Sequence, residues 1–489
     1  MDDVGFQIQD RGLQYGGATR MEGPLVVVER VRDVGYDEMV EILDATGRPR
    51  LGRVLDVSEI HAVVQVLEGT SGLSNQTLRT RFLGESFRLP VSRQMLGRVF
   101  DGLGRTADGG APALSADCRD VNGLAINPHA RQYPREFIQT GVSAIDGMNA
   151  LVRGQKLPIF SGNGLPHDRL SAQIVRQARL LEGRVEFSIV FAAMGVKHDV
   201  AEFFIRNFQD LGALGRVAVF LSLADAPSVE RLLTPRVALT LAEHLAFDCG
   251  QHVLVLLTDM TNYCESLREV GTARAEIPGR RGYPGYLYSD LACLYERAGR
   301  IEGLPGSITQ MPILTMPADD ISHPVPDLTG YITEGQIVLD RDLFQRAVYP
   351  PVAGLPSLSR LMKDGVGKGY TREDHPALAS QLFACYAYVK RIRGLADVIG
   401  EGELSPLDKQ YLKFGEAFER RFLNQGEYEN RSVETTLELG WDVLSMLPRE
   451  ELHRLSNALL EQHYRKSSEA STATTPGAAF AQSPAQLPK

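Results

Sequence analysis

No apolar run in this sequence of 489 residues comes near the roughly 18 residues that a membrane-spanning helix needs. Any service to a membrane must therefore run through partners. Basic residues are also short: 52 Lys+Arg face 61 Asp+Glu, a net charge of −9. That balance excludes a global basic field of the kind that holds nucleic acid or an anionic bilayer. The five cysteines, Cys118, Cys249, Cys264, Cys293 and Cys385, form no CxxC pair, and no HExxH occurs. Odd in number and scattered, they read as reduced thiols and not as a disulfide frame or a zinc site. The opening MDDVGFQIQD carries acids where a signal peptide needs bases, which predicts a cytoplasmic protein.

What is present is an ordinary globular composition, 43% apolar and 23% charged, with length for two or three domains. Three rhythms follow one another along it. Residues 25–29, 38–44, 53–57 and 61–68 are short β-branched runs parted by Gly and Asp, and predict a small β-barrel over 1–80. Over 81–370, unalternating apolar runs at 157–161, 187–193, 216–223 and 252–258 predict parallel strands buried on both faces. Helical patterns separate them. One covers 168–182, with Leu170, Ile174, Ala178 and Leu181 on one face, and another runs from Pro227 to about residue 247. That alternation predicts a doubly wound α/β core. Over 371–466 the strands stop, and 375–394, 406–424, 432–447 and 448–466 predict a helical C-terminal domain. The stretch 467–489 is small, polar and Pro-bearing, and predicts a disordered tail.

The informative segment is PIFSGNGLPHD, between a buried strand and an amphipathic helix, where a phosphate-binding loop would stand. A working loop reads GxxxxGK[ST], so that backbone N–H groups converge on phosphate, Lys neutralises it and Ser/Thr holds Mg²⁺. Here Ser161 and Pro166 replace the two required glycines, while Gly162 and Gly164 lie between them. Pro166 also removes a donor. His167 replaces the Lys, and Asp168 puts a carboxylate where the hydroxyl belongs. As plain structure, the segment reads as a strand–helix turn with Asp168 capping the helix. Val196 ends the next strand, and an apolar side chain there can neither accept a proton nor order a water. The strand HVLVLLTD ends in Asp259, a Walker-B-like position that is also common in α/β proteins generally. A nucleotide fold without its catalytic parts is the combined expectation. A second Gly-rich stretch, 365–369 with Lys368, lacks the upstream Gly and the Ser/Thr, and reads as a flexible loop.

Longer motifs resemble one family. LGRVFDGLGRTADGG at 96–110 is similar to the start of the nucleotide domain of rotary ATPase α/β-type chains. PGRRGYPGYLYSDLACLYERAGR at 278–300 and SITQMPILTMPADDISHPVPDLTGYITEGQI at 307–337 resemble the B (beta) subunits of V/A-type rotary ATPases and ATP synthases. PPVAGLPSLSRLM at 350–362 is similar to the family signature, with Ala353 where Asn or Asp is usual, and SGNGLPHD resembles that chain's own degenerate loop. The resemblance covers the chain from the barrel to about residue 465. It implies a RecA-like P-loop NTPase domain between a β-barrel and a helical domain. It also implies three such chains alternating with three catalytic A subunits around a central rotor stalk. Peripheral stator subunits and a membrane ion-translocating sector would complete the complex, with no nucleic acid. MgATP or MgADP would sit at the A–B interfaces, with none held tightly by this chain. Arg360 matches the family's arginine finger, acting in trans. Arg280 and Arg281, in a Gly-flanked loop, would face the rotor or a neighbouring chain. Three rival readings are a self-sufficient ATPase (export-type or a catalytic A chain), a ring-shaped RNA translocase of related fold, which the net acidity disfavours, and a scaffold using the fold without chemistry. His167, Asp168 and Val196 argue against the first.

Overall fold

Alternation within the N-terminal strands explains the first domain. Val26 and Val28, Val40 and Ile42, and Ala62, Val64 and Val66 point to one side and pack together with Val54 and Phe82. Seven antiparallel strands build this sheet: β1 (Gln14–Gly16), β2 (Arg20–Glu22), β3 (Leu25–Glu29), β4 (Glu38–Leu43), β5 (Pro49–Val57), β6 (His61–Val66) and β7 (Arg79–Ser86). Their spatial order is β1-β7-β4-β5-β6-β3-β2, which forms the β-barrel domain. The computed structural model describes residues 14–465 apart from 114, 182–186, 211 and 213. The tail expected to be disordered, 467–489, lies outside the described residues. Strand β7 crosses the domain boundary expected at residue 80. Side chains of opposite parity, including Leu25, Met39 and Leu55, join the core of the next domain, so barrel and neighbour pack directly.

The central domain is an α/β sheet. Its strands include β8 (Val99–Asp101), β9 (Ile159–Gly162), β10 (Phe187–Val196), β11 (Val217–Leu223), β12 (His252–Thr258), β13 (Ser307–Met316), β14 (Gly335–Val338) and β15 (Leu358–Ser359). They lie in the order β15-β14-β9-β13-β12-β10-β11-β8. All neighbouring pairs on this path are parallel except β14 with β15. The long strands are buried almost throughout, which is why their sequence shows no polar alternation. Parity still divides them. On β10, Ile189, Phe191 and Ala193 belong to one core, while Val190, Ala192 and Met194 belong to the other.

Helices cover both faces. The helix expected over 168–182 is shorter, α1 (His167–Gln177). Ala178 turns extended (φ −60°, ψ 135°), and Arg179–Leu180 pairs with the strand Phe137–Gln139 instead. Leu181 therefore leaves the apolar face. The helical domain consists of α2 (His375–Ile399), α3 (Pro406–Ala417, continued as a π-helical turn Phe418–Leu423), α4 (Val433–Leu444) and α5 (Asn457–His463). A single helix over 448–466 does not form. Extended Pro448 precedes a 3₁₀ turn, Arg449–Glu451, and Ser456 caps a new start by accepting from Leu459 N–H. Among the described residues no helix is long and apolar enough to cross a membrane.

Glu419 ties the helical domain to the sheet domain. It lies buried, taking Arg393 Nη1 at 2.6 Å, Tyr386 Oη at 2.7 Å and Arg346 Nη1 at 2.6 Å. Burial pushes its carboxyl up, but the hydrogen bonds from Arg393, Arg346 and Tyr386 outweigh it and hold the pKa at about 2, against an ordinary 4.5. A depressed folded pKa means that the unfolded chain binds the proton more tightly. The stabilisation is present above pH 4.5 and is lost as pH falls toward 2. It is on the order of 3 kcal/mol at neutral pH. Glu419→Gln should therefore lower stability at pH 7 and flatten the acid-side loss. Denaturant midpoints of both proteins across that pH range check this, and parallel curves would refute it.

Candidate functional site: a degenerate loop and an exposed edge arginine

Strand β9 lies between β13 and β14, and its C-terminal end delivers the degenerate loop. Gly164 takes φ +78°, a left-handed turn that favours glycine. Leu165 N–H then donates to Gly162 O at 3.1 Å and His167 N–H to Leu165 O at 2.9 Å. Two of the loop's amides are thus spent within the loop itself. Pro166 is the N-cap of α1 and makes no side-chain cap bond. Asp168 is not the cap expected from the sequence; it stands one residue inside the first turn.

His167 is pinned within the loop. Its Nδ1 lies 3.0 Å from Ser161 Oγ and 3.1 Å from Leu165 O, and a proton on Nδ1 satisfies that carbonyl. Its Nε2 lies 3.6 Å from Asp168 Oδ1. Burial raises the Asp168 carboxyl above its ordinary range; His167 opposes the shift, while Asp259 and Asp199 reinforce it. A carboxyl thus stands in the first turn of α1, at the position where a phosphate-binding loop carries a hydroxyl.

A second feature comes from far along the chain. Arg341 and Asp319 form a two-pronged pair, Nε to Oδ2 at 2.6 Å and Nη2 to Oδ1 at 2.8 Å. Arg341 Nη2 also donates to Asn163 O at 3.0 Å. Asp319 lies so close over Gly162 that a Cβ there would overlap its carboxylate. The guanidinium on Asn163 O and the carboxylate over Gly162 thus brace the loop from outside. Sequence reading missed this pair because nothing local links Asp319 to Arg341, and neither neighbours the loop in sequence.

The remaining expected positions have structural partners. Val196 is buried at 8% exposure, in the core. Asp259 Oδ1 accepts Thr261 N–H at 2.8 Å and Thr315 N–H at 3.1 Å. It caps the helix Met260–Ala273 and fastens it to β13. Arg280 pairs with Asp327 at 3.2 Å and Arg281 with Asp320 at 2.9 Å, so this loop is held against the segment after β13. The 365–369 stretch forms a turn in which Gly367 N–H donates to Thr371 Oγ1 at 2.8 Å. One cluster among the described residues has metal-ligand spacing, Asp117, His244 and Asp248. Arg119 already donates to both of its carboxylates, at 3.0 and 2.6 Å, which offsets part of their negative charge.

Arg360 differs from all of these. It follows edge strand β15 and is exposed. Its backbone N–H donates to Glu334 O at 2.9 Å and its Nη1 to Thr333 O at 3.2 Å. Among the described residues it has no carboxylate partner. Period-two geometry turns Ser357 and Ser359 inward and leaves Leu358 and Arg360 outward.

Comparison with known proteins agrees with this architecture piece by piece. Residues 19–81 match the ATP synthase alpha/beta family, beta-barrel domain. Residues 141–359 match the same family's nucleotide-binding domain, and 364–464 match the C-terminal domain of V and A type ATP synthase. The chain is 62% identical to a V-type ATP synthase beta chain of Halothermothrix orenii, over 93% of this chain and 98% of that one. It is 60% identical to V-type ATP synthase beta chain 2 of Treponema pallidum, over 93% and 94%. Among solved structures, ATP synthase subunit NeqB from Nanoarcheaum equitans superposes with a TM-score of 0.69 at 41% identity, covering 87% of this chain and all of that one. With its three domains in the same order and its identity sustained along nearly its whole length, the chain belongs to the V-type ATP synthase beta chains of the ATP synthase alpha/beta family.

Proposed function

We propose that this beta chain serves ATP turnover without carrying the chemistry itself. It lends Arg360 in trans to nucleotide sites borne mostly by a catalytic A subunit. The observation that carries this reading is the altered loop, which is proposed to be plugged. Asp319 and Arg341 lie against it, His167 is turned inward, and Asp168 stands where a Mg²⁺-binding hydroxyl belongs. MgATP or MgADP then belongs at the interface with the neighbouring subunit and is not held tightly by this chain alone. The exposed guanidinium of Arg360, without a carboxylate of its own, supports the complementary half of the proposal. In phosphoryl transfer, charge spreads over the transferring group, and a guanidinium supplied from a neighbour stabilises it.

The assembly that suits this division of labour is an alternating ring of three beta chains and three A subunits around a rotor stalk. Peripheral stator subunits and a membrane ion-translocating sector complete it, the ring lying on the cytoplasmic side. The loop carrying Arg280 and Arg281 is proposed to face the rotor or an adjacent chain. A pure scaffold would share every feature except a contribution from Arg360.

Two measurements test the proposal. Calorimetry of the isolated chain with MgATP should detect no binding in the micromolar range, and a micromolar site would overturn the plugged-loop half. In a reconstituted ring, Arg360→Ala should assemble yet lose turnover by about 10³–10⁵, the usual worth of an arginine finger, or roughly 4–7 kcal/mol of barrier. Arg360→Lys should recover little, because an ammonium lacks the planar, multi-donor fork. Near-normal turnover in an intact Arg360→Ala ring would make the residue structural and favour the scaffold.

A further inference from the structure

Strand β15 is only two residues long, so ladder hydrogen bonds alone fix it poorly. Yet Arg360 follows it directly, and an arginine acting across an interface must be held to a fraction of an ångström. What else locates it is a set of buried side chains on the inward side. Gln155 is fully buried and lies 205 positions upstream, on the turn before β9. Its Oε1 accepts Val152 N–H at 2.9 Å. Its Nε2 donates to Ser359 Oγ at 2.9 Å and to Glu334 O at 3.2 Å. Ser359 Oγ in turn donates to Ala150 O at 2.8 Å.

Glu334 O is therefore a shared acceptor. It takes the Gln155 amide on one side and the Arg360 backbone N–H on the other. Its own residue is clamped as well. Glu334 Oε2 accepts Lys156 N–H at 2.8 Å, and Lys156 Nζ sits 2.9 Å from Glu334 Oε1 and 2.9 Å from Glu296 Oε1. Gly335 lets the two strands approach: its φ is +140°, and a Cβ there would run into Leu358 O. Gln155 is itself fixed to the sheet, since its carbonyl accepts Gln310 N–H from β13 at 2.9 Å.

We infer that Gln155, acting through Ser359 and the Glu334 carbonyl, is a positioning residue for Arg360 and sets where its guanidinium stands beyond the sheet edge. The inference rests on the reading of Arg360 as a residue working in trans. Gln155 touches no substrate in this account; it transmits the rigidity of β13 to an edge strand too short to hold itself. Each of its amide atoms has a defined partner, so replacement by an apolar group of similar size frees the Ser359 and Glu334 contacts together. The outward face of Leu358 and Arg360 would stay chemically unchanged.

The test is a double-mutant cycle in the reconstituted ring with catalytic subunits, using Gln155→Leu and the milder Ser359→Ala, each with and without Arg360→Ala. Each single variant should lower kcat for MgATP hydrolysis roughly 10- to 100-fold, the cost of about an ångström of misplacement, with KM unchanged. In the Arg360→Ala background neither should cause further loss, because the group they position is gone. Equal fold-losses in both backgrounds would show action independent of Arg360 and overturn the inference. So would wild-type kcat in both single variants while Arg360→Ala is inactive, which leaves the role of Arg360 standing. Near-normal turnover of Arg360→Ala alone would instead remove the reading on which the inference rests. If Gln155→Leu does not enter the ring, Ser359→Ala decides; failure of both to assemble makes the pair structural and sinks the proposal.

Discussion

A parallel sheet buried on both faces leaves a chain very little surface with which to do anything else. Strands β10, β12 and β13 are spoken for on either side, and parity along each strand assigns their buried aliphatic residues to one core or the other. Only the strand ends and the outer edges remain free to meet a ligand or another chain. In this molecule the two kinds of free surface differ. At the end of β9 the Asp319–Arg341 pair lies against the loop, while the β15 edge leaves an arginine exposed.

The loop after β9 departs from a phosphate-binding loop in its donors and in its charges. An α-helix start with free amides draws anions, but Pro166 supplies no N–H and His167 stands in place of the lysine. Asp168 sets a carboxyl in the first turn of α1, its pKa raised by burial. The guanidinium of Arg341 is committed to Asp319 and to the Asn163 carbonyl. The substitution of one loop motif is thus accompanied by a distant pair that makes the altered loop self-sufficient.

Much of the architecture was legible in the sequence because local composition carries it. The β-branched run Leu25–Glu29 and the apolar run His252–Thr258 occur as strands with the expected limits. The departure from a phosphate-binding motif was legible too, since Pro166, His167 and Asp168 stand at fixed offsets from a strand. What escaped was set by partners remote in sequence. The end of α1 at Gln177 depends on Arg179–Leu180 finding the strand Phe137–Gln139. The break after Pro448 depends on where Ser456 restarts the helix. Asp259 reads as an acid at a strand end in either case; only the amides of Thr261 and Thr315 reveal that it is fastened. The brace over Gly162 and the Gln155 clamp join residues with no spacing to betray them.

The link through Glu419 has a mechanical side. One continuous core runs from the Ile189 face of the sheet to Phe418, Phe422 and Trp441 in the helical domain. Glu419 bolts Arg346 to Arg393 and Tyr386 across the same boundary, and Gln425 adds a further rivet by donating to Gly141 O and accepting Ser143 N–H at 3.1 Å. Sliding the helices against the sheet at this boundary would have to break the shared core and these hydrogen bonds together.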